Sequence, residues 1–391
     1  MRIRTVMLVL MLAVGDLVSL LARVEPPRPS RADPDVVAAA PSPTRPQAEG
    51  PLAGMPPVLD PQDVYAGARV GAFRAGVQQA VSRIFVPNSR SGTVDVIDPA
   101  TFRIVDHFAV GREPQHVTPS YDLQTLWVVA DKGNSFTRID PRTGRHEPAI
   151  PIADPYNLYY TPDGRYAIVV AERKKRLDFR DAQSLAVVRS LAVPCKGVDH
   201  MDFAATGRYL VASCEFSGEL IKVDVDAQRV VGTLKLPGRA KPQDVRLAPD
   251  GSAFFVADMA GNGVYVIDGD GWRVLGFLPT GRGTHGLYFS RDSQRLFASN
   301  RGEGSISVID TRTRRVATTW QIPGGGSPDM GGVSADGRVL WLSGRYHSEV
   351  YAIDTTTGTL LARIPVGKQP HGLCVWPQPG RYSLGHTGIM R

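Results

Sequence analysis

Seven polar residues recur along this sequence at intervals of 41 to 44 residues, each near the start of a short apolar stretch. Imidazole nitrogens suit zinc, copper, iron or nickel, and accompanying carboxylates also admit manganese or a harder cation. The same groups could instead serve as a general acid or base. Either chemistry needs a fold that brings distant parts of the chain to one place. The seven residues are His116, Asn157, His200, Asp244, His285, Asp329 and His371.

A repeat of matching length runs through the chain and predicts such a fold. Each copy has an apolar, alternating stretch that ends in aspartate and is followed by a turn, as in TVDVIDPATF, GVYVIDGDGW and EVYAIDTTTG. The marker aspartates are Asp98, Asp140, Asp181, Asp224, Asp268, Asp310 and Asp354. A period in the forties built from alternating strands is typical of a β-propeller with one four-stranded blade per repeat. The sequence therefore predicts an all-β, seven-bladed propeller over residues 81–385.

The two ends of the repeat array differ from its middle. The first repeat begins at residues 83–87 with a second strand, and residues 371–377 form a first strand with nothing after it. The simplest arrangement pairs this C-terminal strand into the N-terminal blade, which closes the ring and removes the open edges of a linear array. A closed ring needs no partner to protect its edges, so we expect a monomer.

Because the innermost strand of each blade lines the central channel, the seven aligned residues should form an inner ring at one wet mouth of that channel. About fifteen residues further along each repeat, a second polar set marks the turn from strand two to strand three on the same face. This outer ring consists of Asp131, Glu172, Glu215, Asp258, Asn300 and Arg345, with Asn88 in the first blade. Together the rings predict a polar funnel for a small ligand, a metal ion or a protein partner.

Two considerations limit this prediction. Seven radial positions are too far apart to share one ion, so at most a subset, such as His116, His200, His285 and His371, could converge. The chain also contains no HxxxH or CxxC spacing, which leaves the metal and any catalytic residues unassigned. A solvated channel without bound metal is the competing interpretation, because a fold by itself does not define a function.

The chain has three cysteines, Cys195, Cys214 and Cys374. Cys195 precedes strand one of its blade and Cys214 ends strand two of the same blade. A disulfide bond between them would suit an exported protein, and two free thiols are equally compatible with the sequence. Cys374 lies on a channel strand, where we expect it to be packed like most free cysteines.

The N-terminus has the order of an export signal, with Arg2 and Arg4 before the apolar run of residues 6–14. We expect residues 1–24 to be a signal peptide or a membrane anchor, and the sequence leaves its cleavage open. Residues 25–80 are rich in Pro and Ala, which predicts a disordered tether with a short lead-in. The protein is thus expected outside the cytoplasmic membrane, secreted or tethered to its outer face. The formal net charge of +7 is a mild excess that does not call for a nucleic-acid partner.

The units GTVDVIDPAT and GSISVIDTRT, and endings such as ARIPVGKQPHGL, resemble the YVTN-type β-propeller repeat of the YncE family, and WPQPGRYSLGHTG looks like the ending of its actinobacterial members. The resemblance covers about residues 81–385. It implies an exported seven-bladed propeller, usually without assigned catalysis, with some relatives binding DNA and others surface-layer partners. In haem-bearing relatives a channel histidine is an axial ligand, a place that His200 or His371 would match by position. The chain has no CxxCH motif, so electron transfer is disfavoured and a transition metal ion is favoured over haem.

We therefore expect a non-enzymatic, WD40-like propeller outside the cytoplasm that binds a ligand, metal or protein partner at the mouth lined by histidines and carboxylates. The alternative is an enzyme of the lactonase, lyase or haem-modifying type that uses the same funnel, or a DNA-binding propeller. The repeat lacks the WD dipeptide, which disfavours an intracellular scaffold of the WD40 kind.

Overall fold

The computed structural model describes residues 50–391. The predicted leader and the first part of the predicted tether lie outside these residues. Within the described chain, twenty-eight strands form seven four-stranded antiparallel sheets arranged as the blades of one ring. The all-β, seven-bladed propeller is therefore confirmed.

Each blade takes its strands in chain order from the channel outward. Blade 1 has β1 (Arg83–Asn88), β2 (Thr93–Asp98) and β3 (Arg103–Ala109) from the start of the ring. Blade 2 has β4 (Pro114–Pro119), β5 (Leu126–Ala130), β6 (Ser135–Ile139) and β7 (Ile150–Pro151). Blade 3 has β8 (Asn157–Tyr160), β9 (Tyr166–Ala171), β10 (Arg176–Asp181) and β11 (Val187–Ala192). Blade 4 has β12 (Val198–Phe203), β13 (Tyr209–Cys214), β14 (Glu219–Asp224) and β15 (Arg229–Lys235).

The remaining blades repeat this plan. Blade 5 has β16 (Pro242–Leu247), β17 (Phe254–Asp258), β18 (Gly263–Asp268) and β19 (Arg273–Pro279). Blade 6 has β20 (Thr284–Phe289), β21 (Arg295–Asn300), β22 (Ser305–Asp310) and β23 (Arg315–Gln321). Blade 7 has β24 (Pro328–Val333), β25 (Val339–Gly344), β26 (Glu349–Asp354) and β27 (Leu360–Pro365). The last strand, β28 (Cys374–Trp376), supplies the inner strand of blade 1.

The ring closes through β28, which pairs antiparallel with β1 from opposite ends of the ring. Phe85 lies opposite Cys374, and Arg83 lies opposite Trp376. The Trp376 side chain is only 1 % exposed, so the closing strand is part of the core. The predicted pairing of the C-terminal strand with the N-terminal blade is confirmed.

The burial of each strand explains its pattern of apolar and polar residues. Strands in the middle of a blade, such as β9 and β13, are buried along almost their whole length because neighbouring blades pack against both faces. The outermost strands alternate between half-buried and exposed residues, as in β15 and β19. Six hydrophobic clusters fill the spaces between and beneath the blades.

The repeated aspartate has a structural role at the turn from the third to the fourth strand. Asp354 Oδ1 accepts hydrogen bonds from the backbone N–H groups of Thr356 and Thr357, at 2.9 and 2.7 Å. Asp310 Oδ1 accepts one from the Thr313 N–H at 2.6 Å. A carboxylate that accepts hydrogen bonds from backbone N–H groups two or three residues further on stabilises a tight turn, so this recurring spacing marks the fold and carries no chemistry.

Of the residues predicted as a disordered tether with a short lead-in, the structure describes 50–80, and these are ordered against the ring. They contain a single turn of 3₁₀ helix, Ala66–Ala68, and Leu52 and Tyr65 are buried against the ring. Tyr65 Oη donates a hydrogen bond to the Leu247 carbonyl at 2.8 Å. A few apolar side chains and backbone bonds were enough to order a segment whose composition is rich in Pro and Gly. No helix among residues 50–391 combines the length and hydropathy needed to cross a membrane.

The chain after β28, residues 377–391, is called the C-terminal segment here. It crosses the end of the channel where the inner strands finish, which we call the closed face. The Tyr160 N–H donates to the Leu384 carbonyl at 3.0 Å, and the His386 N–H donates to the Leu158 carbonyl at 2.8 Å. Gly385 has a φ of +99°, and a Cβ at this residue would lie 2.4 Å from the Leu158 carbonyl oxygen. Glycine is therefore required for the segment to approach β8 this closely.

Candidate functional site

Irregularities in the inner strands aim the aligned polar residues into the channel. The register with the second strand shifts at the aligned residue in five blades, for example between Val198 and Met201 around His200, and between Pro328 and Gly331 around Asp329. A β-bulge of this kind re-aims a side chain without ending the pairing. The periodic polar residue and the bulge together place one side chain per blade on the channel axis.

The aligned positions are buried, which differs from the wet mouth expected from the sequence. Each of the seven is between 0 and 2 % exposed. The C-terminal segment covers them from the closed face, and Tyr156, Arg301 and Arg345 lie against the cluster from the opposite, funnel face. The inner ring is consequently a buried cluster, in which polar groups interact with one another more strongly than at a solvated mouth.

His386 is the member of this cluster that sequence reasoning missed. Its ring lies 5.0 Å from His200 and 5.1 Å from His116, between centroids. With His285 and His371, the channel thus holds five imidazoles, and neighbouring ring centroids are 4.9 to 6.3 Å apart. His386 stands in the C-terminal segment outside the repeats, so no periodicity could align it with the others. Its Gly-His-Thr-Gly context was the only available signal.

Three of the imidazoles, from His116, His200 and His386, form a compact group that we call the histidine triad. One ring nitrogen from each lies within 4.8 Å of the other two. The Nδ1 atom of every triad member faces a protein group: the Tyr156 carbonyl at 3.0 Å for His116, and the Asn157 amide nitrogen at 3.2 and 3.1 Å for His200 and His386. All three Nε2 atoms are buried without a hydrogen-bond partner. The triad therefore brings three imidazoles close together, each with one buried ring nitrogen that has no partner.

The second group is built around Asp329 and contains two arginines. Asp329 Oδ1 lies 2.9 Å from His285 Nδ1 and 3.1 Å from Arg301 Nη1. Asp329 Oδ2 lies 3.6 Å from His371 Nε2 and 3.9 Å from Arg345 Nη1. One carboxylate oxygen of Asp329 and one ring nitrogen each of His285 and His371 also lie within 4.8 Å of one another. Two guanidinium charges already neutralise the carboxylate, so this group is an internal ion cluster and disfavours a further cation.

Burial keeps the five imidazoles neutral at physiological pH. It lowers the pKa of His116 to about 3 and that of His285 to about 4. It also holds the pKa of His200, His371 and His386 well below the usual value. Burial alone would raise the pKa of Asp329, but the nearby His285 and Arg301 hold it well below its usual range. The neutral imidazoles of the triad consequently carry nitrogen lone pairs. In the Asp329 group, the charge of the carboxylate is balanced by the neighbouring arginines.

The predicted outer ring does not form one site, because three of its positions hold the turns together. Asn88 Nδ2 donates to Asp95 Oδ2 at 3.0 Å, and Asn300 Nδ2 donates to the hydroxyls of Ser305 and Ser307 at 3.0 Å. Asp258 Oδ1 accepts from the Lys241 N–H at 2.7 Å. These side chains hydrogen-bond within their own blades, although Asn88 Oδ1 has no partner, and none of them contacts the triad.

The remaining acidic positions form a carboxylate rim on the funnel face. Burial raises the pKa of Asp131 to about 6 and that of Glu172 to about 7, with the neighbouring carboxylates adding to both shifts. Burial also raises the pKa of Glu215 and, together with the Glu215 charge, that of Asp199. Asp199 was not predicted. Its Oδ1 accepts from Ser213 Oγ at 2.6 Å and from the His200 N–H at 2.9 Å, while Oδ2 has no hydrogen-bond partner.

A disulfide bond lies directly beside these residues. Cys195 and Cys214 are joined, and both are buried at the funnel-face edge of blade 4, the blade that carries Asp199 and His200. The cross-link ties the approach to β12 to the end of β13. Cys374 is a free, buried thiol whose pKa is raised by burial.

The fold and this site define a closed β-propeller that carries a buried imidazole and carboxylate cluster on its axis. The chain belongs to the YNCE-like β-propeller family, which matches residues 50–379. Two relatives, both called YncE and described as uncharacterized, come from Salmonella typhimurium strain LT2 and Salmonella typhi. Each is 22 % identical over 311 residues, which covers 70 % of this chain and 82 % of the relative. The actinobacterial affinity of the C-terminal ending stays a prediction.

Solved structures share the fold at low sequence identity. Hydrazine synthase of Kuenenia stuttgartiensis aligns with a TM-score of 0.60 at 19 % identity, over 71 % of this chain and 94 % of that chain. A functionally unknown protein from Desulfotomaculum acetoxidans aligns with a TM-score of 0.62 at 15 % identity, over 75 % and 98 %. The dihydro-haem d1 dehydrogenase NirN, in complex with DHE, aligns with a TM-score of 0.56 at 18 % identity, over 85 % and 77 %. These neighbours include enzymes and a protein of unknown function, so the likeness shows the fold alone.

Proposed function

We propose that this protein is an exported, non-enzymatic binding propeller that holds a small ligand or an ion inside its central channel. One observation carries the proposal: buried polar atoms without hydrogen-bond partners gather in the central channel and beside its rim. They are the Nε2 atoms of His116, His200 and His386 and the Oδ2 atoms of Asp199 and Asp329. Each such atom costs about 1–3 kcal/mol when it is left unsatisfied. A ligand that supplies the missing partners would recover this free energy.

The contacts around the imidazoles support binding over catalysis. Among residues 50–391, one serine hydroxyl contacts an imidazole nitrogen, Ser327 Oγ at 2.9 Å from His347 Nδ1. Ser327 is 1 % exposed, and no described carboxylate lies within ion-pair distance of His347. This pair therefore lacks the third group that orients the base in hydrolytic triads.

The haem that occurs in some propellers does not fit this channel. The five imidazole centroids lie 4.9 to 6.3 Å from their neighbours, and the C-terminal segment occupies the closed face beneath them. A macrocycle about twice as wide as these gaps would have to displace several buried side chains. The compact cluster favours an ion or a ligand of a few atoms.

Export is part of the proposal, and the bond between Cys195 and Cys214 supports it. Disulfide bonds persist in oxidising compartments and are rare in the cytosol. The predicted leader within residues 1–24 points the same way. We propose that the ring lies outside the cytoplasmic membrane, secreted or tethered to the outer face of that membrane.

A ligand screen with matched histidine variants tests this function. The full chain, metal-free and purified from the exported fraction, would be melted in the presence of divalent metal ions and of small anions such as phosphate and acetate. At least one probe should raise the melting temperature of the wild-type protein and of His146→Gln, an exposed histidine that stacks on Phe108. The same probe should have no effect on His200→Gln. Binding of duplex DNA would be measured alongside at several salt concentrations, because contacts with phosphates make binding steeply dependent on salt.

Two results would overturn the function. In the first, no ion or small molecule changes the melting temperature. In the second, DNA binds with a steep salt dependence that His200→Gln leaves unchanged, which would place the binding surface elsewhere on the ring.

A further inference from the structure

We infer that the ligand is a divalent transition metal ion held by the Nε2 atoms of His116, His200 and His386. The inference rests on the proposed function and names the ligand of the same channel. It selects one of the two metal-compatible groups, and it assigns a ligand, His386, that lies outside the propeller repeats. The ion would join blade 2, blade 4 and the C-terminal segment.

The distances within the triad suit three imidazole ligands. Zinc and similar ions bind imidazole nitrogen at about 2.0–2.1 Å, which sets tetrahedral ligand nitrogens about 3.4 Å apart. One ring nitrogen of each triad imidazole already lies within 4.8 Å of a ring nitrogen of the other two. Rotations that move each ring by about 1 Å or less are therefore sufficient. Three protein ligands leave a fourth position for water or a small ligand from the funnel face.

The chemistry of the triad selects the kind of ion. Magnesium and calcium need oxygen ligands, whereas neutral imidazoles suit zinc, copper, nickel or ferrous iron. The only described carboxylate in ion-pair contact with the triad is Asp244, whose Oδ1 lies 3.9 Å from His386 Nε2. Asp244 Oδ2 is already 3.4 Å from Arg246 Nε and accepts the Leu287 N–H at 2.9 Å. The space therefore presents nitrogen lone pairs with little free negative charge.

The position of the proton on the His116 ring indicates whether the ligand is a metal ion or an anion. His116 Nδ1 donates to the Tyr156 carbonyl, so the Nε2 atom of neutral His116 carries a lone pair. An anion placed in the triad would meet this lone pair, whereas a metal ion would accept the lone pair as a ligand. The hydrogen bond between His116 and Tyr156 therefore favours a metal ion over an anion as the ligand.

Asn157 is the positioning residue for the other two imidazoles. Its side-chain amide faces Nδ1 of both His200 and His386, and its Oδ1 accepts the Leu158 N–H at 2.9 Å. Metal binding at Nε2 places a proton on each Nδ1, so Asn157 must turn its oxygen toward the two rings when the ion binds. Groups that accept the second ring proton of a metal-bound histidine typically change metal affinity by 10- to 100-fold. An aspartate at this position would supply one oxygen to the rings and another to Leu158.

His386 itself adopts an uncommon backbone conformation. Its φ is +55°, in the left-handed region that residues other than glycine seldom occupy. The hydrogen bond from its N–H to Leu158 and its place between glycines 385 and 388 hold this turn.

Titration of the metal-free full-length protein with Co²⁺ and Zn²⁺ tests the inference. The wild-type protein should bind one Co²⁺ and develop the visible absorption of a four-coordinate ion, which Zn²⁺ should displace. His116→Gln and His386→Gln should each weaken binding by at least about 100-fold, because losing a ligand costs more than the 10- to 100-fold typical of losing a residue that hydrogen-bonds a ligand. His146→Gln and His285→Gln should stay within a few-fold of wild type. His285→Gln distinguishes the triad from the Asp329 group.

Two further variants keep the result informative if a glutamine variant folds poorly. Asn157→Asp should tighten Co²⁺ binding by about 10-fold, because a carboxylate accepts both Nδ1 protons, whereas an anion site would be weakened by the same change. His386→Cys should restore Co²⁺ binding with a thiolate-to-cobalt absorption band. That band would place residue 386 on the ion itself.

The outcomes separate this inference from the proposed function. If Co²⁺ and Zn²⁺ do not bind but phosphate or acetate raises the melting temperature in a manner that depends on His200, the metal is wrong and the channel function stands. If Co²⁺ binds and His285→Gln alone abolishes binding, the triad is wrong. If neither metals nor anions bind, both conclusions fail.

Discussion

His386 packs edge-on against His200, with 5.0 Å between the two ring centroids, although His200 belongs to blade 4 and His386 to the segment that follows the last strand. The contact exists only when the ring has closed and the C-terminal segment has docked on the closed face. Ring closure and the candidate site are therefore coupled: a change that frees the C-terminal segment also removes one of the three triad nitrogens.

The closing strand should stabilise the whole propeller. Replacing Trp376 with alanine removes a fully buried indole from the core, and such truncations typically cost about 3–5 kcal/mol. Because the strand closes the ring, we expect a lower midpoint for the single cooperative unfolding transition in urea, followed by circular dichroism. Leu361→Ala, on the half-exposed outer strand of blade 7, is the control and should cost less than about 1 kcal/mol.

Deletion of the last twenty residues extends this test to the entire closing element. The deletion should lower or abolish the cooperative transition of all seven blades. An unchanged transition in the deletion variant would mean that the ring does not depend on its C-terminal strand.

The C-terminal segment should also be held by a buried ion pair. Arg391 Nη2 lies 2.9 Å from Asp202 Oδ1, both side chains are at least nine-tenths buried, and the guanidinium covers the Tyr65 ring at 4.3 Å. Removing one partner leaves an uncompensated buried charge, so Arg391→Ala should lower the unfolding free energy by about 3–5 kcal/mol. Glu147→Gln breaks the exposed pair with Arg138 and should cost less than about 1 kcal/mol. Equal effects of the two substitutions would show that Arg391 is not anchored as described.

The disulfide bond predicts a definite thiol count. Alkylation after denaturation without reductant should modify Cys374 alone, and alkylation after reduction should modify all three cysteines, as read by intact mass. Reduction should also lower the free energy of unfolding by about 3 kcal/mol, because the bond closes a loop with a sequence separation of 19 residues. Three modified thiols in the unreduced exported protein would contradict the bond.

His371 should make stability depend on pH in a predictable direction. Burial holds its pKa well below the usual value in the folded state, with Arg345 adding to the effect and Asp329 opposing it, while the unfolded chain has a pKa near 6.5. Below that pH the unfolded state binds a proton that the folded state does not, so acid destabilises the wild-type protein through this residue. His371→Gln removes the effect and keeps a donor for the Gln115 carbonyl.

The measurement is a comparison of urea unfolding for the two metal-free proteins at pH 7.5 and 5.5. The stability advantage of wild type over His371→Gln should shrink by about 1.4 kcal/mol between pH 7.5 and pH 5.5. An advantage that grows in acid would show that His371 is charged in the folded protein.

Much of the fold and part of the site could be predicted from the sequence because a propeller is periodic. A residue such as His116 has counterparts at the same position of every blade, so spacing alone places it beside the axis. The outer ring was predicted by the same reasoning and succeeded less well. Asn300 and Asp258 have the right spacing but hydrogen-bond within the turns, because side chains at strand ends serve local backbone and neighbours first.

The sequence by itself determined the number of blades, the closure of the ring and the seven polar positions that face the axis, since each follows from a repeat length and an alternating pattern. Only the tertiary structure decided that this cluster is buried, that Asp329 is paired with Arg301 and Arg345, and that His386 joins His116 and His200. The physical reason is that burial and side-chain pairing depend on which segments meet across the ring. The C-terminal segment has no counterpart in the repeats, so its position follows from packing and not from period.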